Sequence, residues 1–290
     1  MKRGFVSTII FGLMIIITGY ILLQKYDAKE SITFFPIDPS IKYKSSYSTL
    51  TLNERKKLGE FSLQWRVGST LDRDAYLRQD ISFLYVNGRL KGKMGEWEEN
   101  TDQLVQESEI SGKESSRFET ITFHHSEIHT NNEDGIFSAQ NISTDKLYII
   151  DSSFSPLQSF RIPVSKEEQE WKEILDQITN QQLDYSWSKS LQALSLNKQD
   201  YFIFPLTDIN RFQDKSIPGL TEIETKELVG NLWEGLYKNY FLGIKKRDGT
   251  VTEPIDSTIP LIMISNDQSH LLVLIETSSG DSILLRQNLL

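Results

Sequence analysis

Apolar residues are distributed unevenly along the chain, and the longest apolar stretch comes first. Residues 5–23 are 19 consecutive positions without a charged side chain. As a helix rising about 1.5 Å per residue, this run is roughly 28 Å long, which is close to the ~30 Å hydrocarbon core of a bilayer. A secretory signal peptide has a shorter apolar region followed by small residues at its cleavage site. No such site is well placed here, so the pattern predicts a transmembrane helix that is retained.

The charges beside this run predict its orientation. Lys2 and Arg3 precede it directly, and positive charge is kept preferentially on the cytoplasmic side of a membrane. We therefore expect residues 1–4 to form a cytoplasmic tail and the bulk of the chain to lie outside the cytoplasm. Residues 24–40 contain Pro36 and Pro39, which oppose a continuing helix, and this segment is interpreted as a stalk.

Residues 41–164 follow patterns that are typical of strands. Residues 61–67 alternate between apolar and polar positions, as a half-buried strand does. Residues 81–86 run into Asn87-Gly88, the dipeptide favoured in tight type I′ hairpin turns. Further strands are predicted at 118–125, 136–139, 146–150 and 158–164. This part is predicted to be a strand-rich half.

Helical signals begin at Ser165. Ser165 with Glu168, and Thr221 with Glu224, have the spacing of a capping box, so a helix is expected to begin at each. The second helix is predicted over 222–242. Short apolar runs at 259–264, 271–276 and 282–286 then predict an antiparallel meander, whose face the second helix is expected to cover. The predicted fold class is α+β, with one N-terminal transmembrane helix, a strand-rich half over 41–164 and a helix-plus-antiparallel-sheet half over 165–290.

Composition narrows the possible functions. There are 31 basic and 40 acidic residues, which gives a net charge of −9. Nucleic-acid binding requires clustered lysines and arginines, and the densest basic runs here are three residues long, so no nucleic-acid partner is expected. The chain has no cysteine, which excludes disulfides, thiolate nucleophiles and cysteine metal sites. No cofactor motif is present, and none is predicted.

The weak candidate for a metal site is His125, Glu127 and His129. Residues two apart on a strand share a face, and two imidazoles with one carboxylate can bind zinc or iron. The two histidines would be about 13 Å apart at the backbone, however. A polar strand end is therefore the favoured interpretation.

The weak candidates for partner binding are the aromatic residues of the second predicted helix: Trp233, Tyr237, Tyr240 and Phe241. Aromatic residues are enriched at binding hot spots. An apolar stripe at helical spacing more often packs on a sheet, and we favour that interpretation.

The overall plan resembles that of anchored envelope proteins of Gram-positive bacteria, although no particular residue carries the resemblance. It implies a membrane-anchored extracytoplasmic binding or regulatory domain of the bacterial cell envelope, without catalytic activity of its own. Its expected partners are the membrane, through residues 5–23, and another membrane or envelope protein. The alternative is a membrane-tethered envelope hydrolase that uses carboxylates or a metal.

Overall fold

The structure is a computed structural model. It describes residues 35–57, 60–129, 135–152, 156–245 and 249–289, with only the backbone of 54–57, and these residues belong to one compact unit, Thr33–Leu290. The predicted transmembrane helix, residues 5–23, lies outside the described residues, as do the tail and most of the stalk. Among the residues that the structure describes, no helix is both long enough and apolar enough to cross a membrane.

A sheet of six antiparallel strands forms the larger part of the unit. Its strands are β1 (Tyr43–Lys57), β2 (Glu60–Val86), β3 (Arg89–Gly112), β4 (Ser116–His129), β5 (Ile136–Ile150) and β6 (Gln158–Phe160). The long strand β2 pairs with β3 along most of its length. On its other edge it pairs with β1 up to Leu71 and with β4 from Leu77 onwards. At the middle of β2, β4 therefore replaces β1 as the neighbouring strand, and the sheet can split at this point.

This divergence curves the sheet until β1 approaches β5, so that the sheet is nearly closed. Side chains rather than a backbone ladder connect these two strands. The Oγ atoms of Ser48 and Ser143 are 2.7 Å apart, and the Leu50 amide donates to the Asp145 carboxylate at 2.8 Å. Inside the curve, alternate residues of four strands form the core: Leu50, Phe61, Leu63, Trp65, Val67, Leu84, Phe118, Leu147 and Ile149.

The described residues after β6 add two α-helices, a second sheet and a separate pair of short strands. The helices are α1 (Lys166–Ala193) and α2 (Glu222–Leu236), which continues as a π-helical segment, Tyr237–Phe241. Short 3₁₀ helices cover Lys198–Asp200 and Leu206–Phe212. The strands are β7 (Tyr201–Pro205), β8 (Ile244–Lys245), β9 (Val251–Thr252), β10 (Leu261–Ser265), β11 (His270–Glu276) and β12 (Ser282–Asn288). The second sheet has the antiparallel order β12-β11-β10-β7, and the separate pair is β8 with β9.

The predicted α+β fold class is wrong. Strands hold 52% of the described residues and the helices are few. The prediction missed β3 entirely, because much of this strand is exposed on both faces and its sequence is polar. It also predicted two separate strands at 61–67 and 81–86, whereas β2 runs without interruption from Glu60 to Val86.

The predicted packing of α2 on the C-terminal meander also needs correction. The indole ring of Trp233 stacks on Phe83 of β2 and on Phe123 of β4, at centroid distances of 5.7 and 5.2 Å. The large rings of α2 therefore pack on the first sheet. Helix α1 contacts the second sheet instead, where the Trp187 indole donates to the carbonyl of Ile259 at 3.1 Å.

Candidate functional site

The three residues of the candidate metal site lie on β4 but do not converge. His129 pairs with Glu127 and stacks on Tyr76. His125 is buried beside Phe123, and neither of its ring nitrogens has a hydrogen-bond partner. Burial and the charge of Arg78 lower the pKa of His125 to about 4. Within the described ranges, no group of three histidine or carboxylate side chains is arranged to hold a metal ion.

The aromatic residues that were candidate partner contacts lie mostly inside the protein. Trp233, Tyr237 and Tyr240 are buried, and the hydroxyl of Tyr240 is 2.8 Å from that of Ser257. Phe241 is partly buried and stacks on Tyr237. This placement is the sheet-packing arrangement, and it leaves the three buried rings no free surface for a partner.

A chain of buried polar side chains inside the curved sheet has the spacing of a serine hydrolase triad. His124 Nδ1 is 2.8 Å from Asp80 Oδ2, and His124 Nε2 is 2.8 Å from Ser143 Oγ. Asp80 and His124 are fully buried, and Ser48 covers Ser143 Oγ at 2.7 Å. A nucleophile needs room for a carbonyl group beside it, and Ser143 lines none of the described clefts. We interpret this chain as a polar part of the core.

The candidate functional site is a cleft where β4, β5, α1 and the start of the second sheet meet. Its volume is about 410 Å³, which is within the usual range for small-molecule sites, ~300–1,000 Å³. Most of its lining is polar or charged, with a few apolar side chains. Its charged lining residues are Arg117, Glu119, Lys146, Asp176, Asp184 and Asp208. We call this the charged cleft.

The floor of the charged cleft is a network of ion pairs around Arg117, which is only 5% exposed. Its Nη2 lies 2.7 Å from Glu119, and its Nη1 donates to Asp176 at 3.0 Å. Lys146 pairs with the other oxygen of Glu119 at 2.8 Å. The remaining nitrogen of the guanidinium, Nε, is buried and has no hydrogen-bond partner. An unsatisfied buried donor costs about 1–3 kcal/mol, and because Nε is buried it is not open to a ligand in the cleft.

Asp176 is held in its ionised form. Burial raises the pKa of this carboxyl group, but hydrogen bonds from Lys172, Arg117 and Tyr148 outweigh burial, and the net result is a pKa below the ordinary value. Burial and the bond to Asp176 correspondingly raise the pKa of Tyr148. The floor network contains three cations, Arg117, Lys146 and Lys172, and two carboxylates, Glu119 and Asp176. It therefore carries about one net positive charge.

The rim of the charged cleft is acidic. Asp184 is exposed and, within the part of the chain that the structure describes, has no ion-pair partner. Asp208 has only a distant one, Arg211 at 3.9 Å. Leu183 and Trp187 add apolar surface. The cleft therefore places carboxylates at its rim and cationic donors at its floor, with apolar contacts between them.

A second cleft, of about 420 Å³, lies where residues 37–43 meet β5 and α2. Its amides are already used within the protein: Gln140 donates to the carbonyl of Lys226, and Gln213 donates to that of Ile142. None of its charged side chains is buried. It thus lacks the fixed charges that distinguish the charged cleft.

Sequence reasoning missed the residues of the charged cleft. Arg117 and Glu119 occupy alternate positions on one face of β4, within or beside the predicted strand 118–125. Two charges at alternate positions of a largely apolar strand were a usable signal, because a buried charge requires a partner. The partner Asp176 is 59 residues further along the chain, and no local pattern identifies it.

Comparison with known proteins identifies no family for this chain. No family model matches it, and no curated protein does. Solved structures that show some similarity include a protein from Arabidopsis thaliana at 11% identity and TM-score 0.24, which covers 49% of this chain and 95% of that one. Others are a CARDB domain from Pyrococcus furiosus, solved with di-metal ions, and YcdA of Bacillus subtilis, a candidate lipoprotein. Each is 12% identical; their TM-scores are 0.21 and 0.17, and they cover 42% and 81% of this chain and 95% and 69% of their own.

Proposed function

We propose that this chain is a membrane-anchored, extracytoplasmic binding protein of the bacterial cell envelope without catalytic activity of its own, and that the charged cleft is its ligand site. The observation that carries the proposal is the charge arrangement of this cleft. Arg117, almost fully buried, fixes positive charge at the floor through its pairs with Glu119 and Asp176, while Asp184 at the rim has no ion-pair partner among the described residues.

The state of the carboxylates favours binding over hydrolysis. A general acid in a hydrolase needs a carboxyl group whose pKa is raised toward the working pH. The pKa of Asp176 is lowered instead, and Glu119 is bridged by two cations. Both carboxylates therefore act as fixed counter-charges that hold Arg117 in place.

The chemistry of the cleft suits a small zwitterion. An ammonium group can pair with Asp184 and Asp208 at the rim, and a carboxylate or carbonyl can accept hydrogen bonds from Lys146 at the floor. Leu183 and Trp187 can contact an apolar side chain. A short peptide has all three kinds of group, so we infer that the ligand class is a short peptide or a molecule with the same groups.

The test is calorimetric titration of the full chain in lipid nanodiscs with the dipeptide alanyl-alanine. We expect saturable binding that is lost with the N-acetylated and the C-amidated dipeptides, which each lack one charge. The double variant Asp184→Asn, Asp208→Asn should weaken binding about tenfold or more, since a hydrogen bond to a charged group is worth about 1.5–3 kcal/mol.

Glu227→Gln serves as the matched control, because Glu227 is an exposed carboxylate on α2 outside the charged cleft. This variant should bind the dipeptide like the wild type. Absence of dipeptide binding by the wild type, or equal binding by the acetylated dipeptide, would contradict the proposed ligand class.

The anchored location has a separate test. Protease added to intact cells should degrade the chain beyond residue 23 while a membrane-associated N-terminal fragment remains. A chain that is protected from the protease, or that is found free in the medium with a new N-terminus after Leu23, would contradict this part of the proposal.

A further inference from the structure

Strand β3 lies at an edge of the first sheet. One of its sides pairs with β2, and on the other side only its first residues have a neighbour, where the amide and the carbonyl of Leu90 bond to Ser257 and Asp256. Within the described part of the chain, the backbone of residues 94–100 pairs with β2 alone. In an antiparallel pair, every second residue directs its amide and carbonyl away from the partner strand. Such an edge can pair with a strand from another chain.

This part of the edge is also open to solvent. Residues 95–100 are all exposed, although three of their ladder partners on β2, Arg78, Gln79 and Asp80, are buried. The largest side chain among them, Trp97, is 41% exposed. Both faces of β3 are therefore accessible beside its unpaired edge, and one aromatic ring lies there.

The edge is strongly acidic. Residues 94–112 include six acidic side chains and no lysine or arginine. The two nearest lysines, Lys91 and Lys93, each form an ion pair with a carboxylate outside β3. Three of the acidic side chains are exposed and have no ion-pair partner among the described residues: Glu96, Glu98 and Glu99. The unpaired backbone and the uncompensated negative charge thus coincide on one short segment.

The alternation of side chains along β3 defines what could pair with it. Glu96 and Glu98 lie on one face of the strand and Trp97 on the other. Opposite charges on neighbouring strands stabilise their pairing, and like charges oppose it. A complementary strand therefore has lysine or arginine on the face of the glutamates and an apolar residue on the face of Trp97. A second copy of β3 would instead bring two acidic strands together.

We propose that the outer edge of β3, at residues 94–100, binds an extended segment of another protein as an additional strand, in which lysine or arginine residues alternate with apolar ones. Backbone hydrogen bonds hold such a segment, and its alternating side chains provide specificity. The glutamates select against a second copy of this chain and against an anionic membrane surface. The proposal does not depend on the charged cleft, because no residue of β3 lines that cleft.

The test is fluorescence anisotropy of a labelled heptapeptide of alternating lysine and valine, blocked at both ends, with the full chain in phosphatidylcholine nanodiscs. We expect saturable binding, and slower amide hydrogen exchange within residues 94–100 when the peptide is bound. The change Glu96→Lys with Glu98→Lys should weaken binding about tenfold or more, because like charges then face each other. The control, Asp214→Lys with Glu227→Lys, makes the same change in net charge at exposed positions outside β3 and should bind like the wild type.

Two control peptides separate strand pairing from attraction between charges. The same heptapeptide with every backbone nitrogen methylated cannot donate to β3, and a heptapeptide of alternating glutamate and valine has the wrong charge, so neither should bind. The proposal is overturned if the wild type does not bind the lysine–valine peptide, if the methylated peptide binds equally well, if the charge reversal leaves binding unchanged, or if exchange slows only outside residues 94–100. A dimer of this chain that the peptide dissociates would also overturn it, because the edge would then belong to a second copy.

Discussion

Replacing Arg117 by methionine removes the cation that joins Glu119 to Asp176 while keeping a long side chain at the same place. Removing one partner of a buried ion pair costs about 3–5 kcal/mol. In the variant, Glu119 would retain Lys146 at 2.8 Å and Asp176 would retain Lys172 at 2.6 Å. We therefore expect the lower end of the range, about 3 kcal/mol of unfolding free energy.

The matched control is Arg161→Met. Arg161 contacts Asp145 at 2.7 Å, but its side chain is 48% exposed, and exposed pairs contribute only about 0–1 kcal/mol. Urea unfolding of both variants, followed by tryptophan fluorescence of the full chain in detergent, measures the two losses. Equal losses for the two variants would refute the assignment of Arg117 as the buried centre of the cleft floor.

Acid should diminish the effect of Arg117→Met. Because the folded-state pKa of Asp176 lies below its ordinary value of 3.8, this carboxylate stabilises the fold above that pH, and the contribution is lost as the pH falls further. The variant lacks one of the groups that lower this pKa. The stability difference between wild type and variant should therefore narrow below about pH 4, and a constant difference would contradict the electrostatic explanation.

Three further predictions concern the fold. Gly88→Ala should lower the unfolding free energy by about 1–3 kcal/mol, because Gly88 has φ +81° and the new Cβ would lie 2.9 Å from Leu183. The control is Gly135→Ala, where φ is +96° but the new Cβ would lie in open space, so thermal unfolding should show a smaller loss of stability. Equal losses for the two variants would count against this explanation. His125→Phe should make the stability of the fold less sensitive to acid. The pKa of His125 is about 4 in the folded chain, against an ordinary value of 6.5. The neutral ring therefore stabilises the wild type fully above about pH 6.5, and on the order of 3 kcal/mol of unfolding free energy is lost as the pH falls toward 4. Urea titrations at several pH values measure this loss, and identical profiles would refute it. His124→Leu should cost about 3 kcal/mol in urea unfolding, because Ser143 and Asp80 lose a buried partner; an unchanged midpoint would contradict the role of this polar chain in the core.

Local rules predicted local structure. Asn87 and Gly88 both have positive φ, at 48° and 81°, which the type I′ turn requires. Both capping boxes are present, at Ser165 and at Thr221. The turn and the two capping boxes depend on contacts within a few residues, so the neighbouring sequence is sufficient to predict them.

The same local sequence patterns do not predict how strands and helices pack on one another. Strand β3 is stabilised by its ladder with β2 rather than by burial of one face, so its sequence lacks the apolar alternation that identifies a strand. Helix α2 packs on the first sheet because Trp233 stacks on Phe83 and Phe123. In the sequence alone, these aromatic residues could equally pack against other apolar side chains. The charged cleft requires strands and a helix to converge, and only the folded chain brings its charges together.

The most direct test of the charged cleft as a ligand site is photoaffinity labelling of the full chain with a dipeptide that carries a diazirine in its side chain, followed by mapping of the modified residues. We predict labelling within residues 176–187 of α1, beside Leu183 and Trp187, and its loss on addition of excess alanyl-alanine. Labelling of residues 37–43 or 139–142 in the second cleft, or no labelling that the dipeptide displaces, would contradict the account.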